Sequence, residues 1–256
     1  MTVIIEIVEK DKPKLEIPKF VCDDGINPNL ENYPMLSNLN CYNFSIFCGK
    51  PRSGKTSLMI ALLSGKGKDK LLRKAYNHVY LIMPASSRAS LKKDIFKKHP
   101  DDKKFDELTF NVLDTIYNNL LQNTQEKEKS LLIMDDVAAS LKNGDIQKLL
   151  RKIIFNRRHL KCSIIMLIQS YIAVPREVRK LVNNLFLWKC TKIEFETIAN
   201  ELFELKKDTA LQLMKLYKHP HDFMMFCTDN RKIFINFDEV IIKDDDDDDL
   251  DEFLEK

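Results

Sequence analysis

From residue 42 onward the apolar positions follow two periods in turn. Short runs of β-formers come first: YNFSIFC (42–48), HVYLIMP (78–84), LTFNVLD (108–114), SLLIMDDV (130–137), CSIIMLIQS (162–170) and LFLWK (185–189). The runs at 130–137 and 162–170 are almost continuously apolar, as expected of strands covered on both faces of a parallel sheet. Between the runs the pattern changes to a helical one. TSLMIALLS (56–64), SSRASLKKDIFKK (86–98, capped by Ser86 or Ser87), TIYNNLLQN (115–123), IQKLLRKIIFNRRHL (146–160) and PREVRKLVNN (175–184, with Pro175 at its start) are predicted helices. KIEFETIANELF and DTALQLMKLYK add two more. DFMMFCTDNRKIFINF (222–237) predicts two strands turning at Asp229–Arg231, a hairpin.

Before residue 42 the pattern is irregular. TVIIEIVE (2–9) has strand character, and Pro13, Pro18, Pro28 and Pro34 cut the rest into extended pieces and turns. The expected organisation is an extended segment over 1–40, one α/β domain over 41–242 and a tail over 243–256. Strands alternating with helices predict a mostly parallel sheet with helices on both faces, whose ligands gather at the carboxyl ends of the strands.

Composition narrows the class. Apolar residues make up 44% and charged residues 31% of the 256 positions, the mix of a soluble globular chain. No run of about 18 apolar residues occurs, so no spanning helix is expected. The N-terminus lacks the basic start and small-residue cleavage site of an export signal. The six cysteines form no CxxC pair, so reduced thiols in an intracellular compartment are expected, with neither a zinc ribbon nor a redox motif.

The net charge of +3 conceals an asymmetry. The tail KDDDDDDLDEFLEK holds nine acidic and two basic residues, which leaves 39 basic and 29 acidic residues, a net of +10, in the body. Such a body suits a polyanion, although a solvated lysine-rich surface reads the same way; Lys66, Lys68, Lys70, Arg73 and Lys74 belong to it. The aspartate run is expected to be a disordered tail, with Phe253 and Leu254 as apolar anchors should it dock a partner. Trp188 is expected in the core.

The chemistry concentrates at strand ends. Gly49-Lys50-Pro51-Arg52-Ser53-Gly54-Lys55-Thr56, followed by Ser57, fits G-x-x-x-x-G-K-[ST] between a strand and an apolar helix. Glycines let backbone N–H groups curl around phosphates, and the helix N-terminus adds positive potential. Lys55 is placed to reach the β- and γ-phosphates of ATP, and the Thr56 hydroxyl to bind Mg²⁺. Asp135 and Asp136 end an apolar strand; the first is assigned to the metal and the second to the attacking water. Gln169 ends another strand, where its amide can sense the γ-phosphate. Arg157 and Arg158 close the basic helix. They are candidates for an arginine finger acting on a neighbouring copy, or for cations at a helix end, and His159 for a structural role.

GKPRSGKTSLM, LLIMDDV and above all NRRHLKCSIIMLIQSYIAVPREVRKLVNNLFLWK give the chain a family likeness. Over about residues 42–237 it resembles the genome-packaging ATPases of nucleocytoplasmic large DNA viruses, poxvirus-type members of the FtsK–HerA superfamily of P-loop NTPases. The resemblance implies a RecA-like core with an added strand between the phosphate loop and the acidic strand. It implies a homo-oligomeric ring that drives double-stranded DNA into a preformed capsid using ATP and Mg²⁺, at an assembly site in host cytoplasm or in the virion. A capsid or portal component would be a further partner. Asp136 stands where many of these motors have glutamate. Two other readings use the same loop: a small-molecule kinase, and a non-catalytic nucleotide-binding capsid assembly protein.

Overall fold

A computed structural model describes residues 25–66, 70–89, 91 and 95–242. The expectations for TVIIEIVE, Lys68 and the acidic tail lie outside them. The described residues form one nine-stranded sheet in the order β3-β2-β4-β5-β1-β6-β7-β8-β9. The central strands are β1 (Phe44–Cys48), β4 (Ser130–Asp135), β5 (Cys162–Ile168) and β6 (Asn184–Trp188), with β2 (His78–Ile82) and the two-residue β3 (Lys104–Phe105) beyond β4. These six run parallel. The hairpin expected around residue 230 is present: β7 (Phe223–Cys227) pairs antiparallel with β6 and with β8 (Lys232–Ile235). A short β9 (Asp238–Val240), which no sequence signal marked, adds to β8.

β5 lies between β1 and β4. This is the added strand that the family resemblance implies, and it carries Gln169 to a place between the phosphate loop and the acidic pair. All seven residues of β5 are buried. A strand covered on both faces of a parallel sheet is a near-continuous apolar run, broken here only by Ser163.

Alternation along β1 builds two cores. Phe44, Ile46 and Cys48 pack with Leu113, Ile116 and Leu120 of α4 (Phe110–Gln125), Ile153 of α5 (Gly144–Phe155) and Phe195 of α7 (Lys192–Phe203). Phe47 faces the other way, toward Met35 of α1 (Pro34–Ser37) and Met59 of α2 (Lys55–Ser64). Leu30, Met35, Leu36 and Leu39 are buried in this second core. The described part of the 1–40 segment is therefore packed against the sheet, and Pro28–Asn32 and Pro34–Ser37 are helical where extended pieces were expected.

Three helix boundaries differ from expectation. LTFNVLD is not a strand: Thr109 accepts from Val112 N at 3.2 Å and starts α4, because Leu113, Ile116 and Leu120 recur at helical spacing and are fully buried. The helix expected over 86–98 is α3 (Ala85–Ala89), which contains Ser86 and Ser87 where a cap was expected. The helix expected over 175–184 is one turn, α6 (Arg176–Arg179), because Asn183 is drawn into the sheet, accepting from Phe44 N at 2.8 Å. The last helix is α8 (Lys207–Met214). Among the described residues Cys41, Cys48, Cys162, Cys190 and Cys227 are unpaired with one another.

Candidate nucleotide site

The loop after β1 is held by its own backbone. Gly49 N donates to Ile168 O at 3.1 Å, and Ser53 N to Lys50 O at 3.2 Å. Two positions require glycine. A Cβ on Gly49 would lie 2.7 Å from Trp188 Cβ and 2.8 Å from Ser53 Oγ, and Gly54 has φ +116°. An alanine at either would push the loop off β6 or strain it. Arg52 is left-handed as well, at φ 65°. The loop then enters α2, whose first residues are Lys55, Thr56 and Ser57.

Lys55 is buried, and its ammonium donates to Gly49 O at 2.5 Å and Lys50 O at 2.9 Å. Burial lowers its pKa, and the charges of Asp135 and Asp136 oppose that fall. Ser53 Oγ is buried without a partner. An ammonium resting on loop carbonyls, an orphaned hydroxyl and a glycine cradle together fit an anion that takes several donors at once.

The acidic pair faces this loop across β5. Register pairs Asp135 with Leu167, so β4 and β5 end within one residue of each other. Asp135 is half-buried; burial raises its pKa, Asp136 raises it further, and Lys55 opposes both. Asp136 is exposed and left-handed at φ 55°, with its N–H on Leu167 O at 3.3 Å. Gln169 Nε2 donates to Asp136 Oδ1 at 3.4 Å. Lys55, Asp135, Asp136 and Gln169, spread over 115 positions, thus share the carboxyl edge of three adjacent strands. Among the described residues no group of three or more His, Cys, Asp or Glu side chains could hold a metal by itself.

Arg157 and Arg158 are not part of this edge. α5 runs back across the sheet, and Arg157 Nε donates to Tyr42 O and Nη1 to Ile154 O, each at 3.0 Å. Tyr42 precedes β1, so both arginines lie at the opposite edge, about 17 Å away for five strand residues. Arg158 and His159 are exposed. Neither arginine reaches the phosphate loop of its own chain.

Some contacts had no legible signal. Trp188 is in the core as expected, 1% exposed, and also backs the loop at Gly49 and Gly54. His221 Nδ1 lies 3.1 Å from Ser53 O. Glu194 is buried at the start of α7 and accepts from Ser170 Oγ and Tyr171 N, each at 2.7 Å, gripping the loop that follows Gln169. Arg179 forms an ion pair with Glu201 behind that same loop.

The family model described as poxvirus A32 protein matches residues 35–252. No curated protein matches the chain in sequence. Among solved structures, the DNA-packaging ATPase B204 of Sulfolobus turreted icosahedral virus superposes with a TM-score of 0.56 at 14% identity, covering 78% of this chain and 98% of that one. The genome packaging NTPase B204 of Sulfolobus turreted icosahedral virus 2, bound to AMP, gives 0.54 at 13% identity over 78% and 98%. The cytoplasmic domain of the type VII secretion ATPase EccC from Thermomonospora curvata gives 0.51 at 10% identity, over 79% of this chain and 26% of that one. At such identities the likeness establishes the fold alone.

Proposed function

The chain belongs to the poxvirus A32 protein family, and on that premise we propose that it is an ATP-driven motor that moves double-stranded DNA into a preformed viral capsid. The observation that carries this reading is the shared edge: Lys55, Asp135, Asp136 and Gln169 converge from three adjacent strands on one glycine cradle. The packaging role of the B204 proteins, which have the same fold, supports the motor reading. The work is assigned to host cytoplasm at the site of virus assembly, or to the virion. No helix among the described residues is long and apolar enough to cross a membrane.

In this proposal Lys50 to Ser57 wrap the phosphates, and Lys55 leaves its two carbonyls for the β- and γ-phosphates. Thr56 and Asp135 would hold Mg²⁺, which when bound would neutralise phosphate charge. Asp136, exposed at the strand end, orients the attacking water and draws its proton. Gln169 bonds the γ-phosphate and is released when that phosphate leaves. Arg158, exposed at the far edge, serves the site of the next subunit in a ring. Arg157 holds the helix end that presents it.

Two tests follow. Phosphate release is expected to rise on adding double-stranded DNA of any sequence, and the stimulation to fall steeply with salt as counterion release weakens phosphate contacts. Turnover indifferent to DNA at both low and moderate salt counts against a motor and favours a kinase. Second, Asp136→Asn and Arg158→Ala are expected to bind nucleotide as the wild type does yet turn over about 100-fold more slowly or worse. Arg157→Ala is expected to lower stability first. Normal turnover in Arg158→Ala removes the finger assignment.

A further inference from the structure

Sheet order gives the two ends of the nucleotide different neighbours. The strands run β4-β5-β1-β6-β7. Asp135, Asp136 and Gln169 lie to the β4 and β5 side of the phosphate loop. An extended nucleoside triphosphate whose γ-phosphate points there must send its base the other way, past β6 and β7. A cleft of about 400 Å³ opens on that side, between Arg52–Leu58 and a wall of Trp188, His221 and Phe223. None of the residues proposed for hydrolysis on β4 or β5 lines it.

The wall is built rather than incidental. Asp222 accepts from Lys218 N at 2.8 Å and His219 N at 2.7 Å, and Asn236 Nδ2 donates to its other oxygen at 3.1 Å. This turn fixes His221, which is exposed yet has Nδ1 against Ser53 O. Gly54 has no Cβ to fill the gap: one would stand 3.3 Å from Trp188 Nε1 and 3.9 Å from His221 Nδ1. The Trp188 N–H is buried without a partner at this point. An orphaned donor and an exposed aromatic ring therefore meet where the nucleoside would lie.

We propose that this cleft takes the nucleobase, that His221 holds it by stacking on its face, and that Trp188 senses its arrival. The proposal rests on the nucleotide reading above. Every base has a π-face, so a ring wall discriminates little between bases. The site is therefore expected to accept GTP nearly as well as ATP.

Trp188 is the single tryptophan of the chain, so its fluorescence reports binding directly. The full-length protein is titrated with ATP, GTP and inorganic tripolyphosphate, with equilibrium dialysis as an independent measure. ATP and GTP are expected to bind alike and to shift the emission. His221→Ala is expected to weaken both by about fivefold or more, the value of one lost stacking contact, and to leave tripolyphosphate unchanged. His221→Phe, which keeps a ring, is expected to restore them. If His221→Ala leaves ATP binding intact, or weakens ATP and tripolyphosphate equally, the base is elsewhere and His221 only braces the loop. If wild-type protein binds neither ATP nor tripolyphosphate, the phosphate site itself fails, and the base site falls with it.

Discussion

Lys55→Ala is expected to lower ATP hydrolysis by about 100-fold or more and to leave the protein folded. Its ammonium donates to Gly49 O and Lys50 O, and burial disfavours its charge. Asp135 and Asp136 oppose that effect, and the ammonium lies on the carbonyls of the glycine cradle. Truncation leaves two loop carbonyls short of a donor, about 1 kcal/mol each, and water can reach the loop to replace it. It also removes the one nearby cation that lowers the Asp135 pKa, which burial and Asp136 already raise. Asp135 must be ionised to hold Mg²⁺, so activity should rise with pH through its folded pKa. Residual turnover in the variant should show that acid limb displaced to higher pH. Phosphate release across pH, with circular dichroism as the control for folding, checks both statements. Wild-type turnover in Lys55→Ala would overturn the site.

Much of the site was legible because its signals are local. G-x-x-x-x-G-K-T between a strand and a helix, and DD at the end of an apolar run, each need only neighbours in sequence. The parallel sheet was legible for the same reason: LLIMD and CSIIMLI are too apolar to face water on either side. LTFNVLD misled because β-branched and aromatic residues at 108–114 outweigh a helical spacing that becomes visible only when Ile116 and Leu120 are included. Tertiary packing then decided the conformation. What acts at long range left no mark. Arg157 bonds Tyr42 across 115 positions, and His221 meets Ser53 across 168. No spacing rule connects them. The finger expectation was incomplete for that reason: sequence placed two arginines at a helix end, but only the fold puts that end at the far edge, where Arg157 holds the chain and Arg158 faces outward.

The largest loss of stability is expected from Arg179→Ala, about 3–5 kcal/mol. Arg179 Nε donates to both Glu201 oxygens at 3.1 and 3.2 Å, and Nη2 to Oε2 at 2.9 Å. Nη1 reaches Val174 O at 3.2 Å, and the guanidinium lies 5.1 Å from the Tyr171 ring centre. Both side chains are nearly buried, at 13% and 12% exposure. Truncating the arginine strands the Glu201 carboxylate in a poorly solvated place, which costs more than the pair contributes. The double variant Arg179→Ala/Glu201→Ala should therefore lose less than the sum of the single variants in denaturant titration. Arg179→Lys keeps the charge but not the fork, and should fall between. On the role proposed for Gln169, the position bears on catalysis as well as on stability. Residues 170–174 follow Gln169 directly, and two clamps hold them to α7: Glu194 at Ser170 and Tyr171, and Arg179 with Glu201 at the far end. With one clamp open, Gln169 samples more positions relative to the γ-phosphate. kcat should then fall while the affinity for nucleotide holds, because Lys50 to Ser57 are untouched. If Arg179→Ala unfolds at the wild-type denaturant concentration, the pair is not a structural clamp. If its kcat is unchanged in the folded protein, Gln169 takes its position from β5 alone.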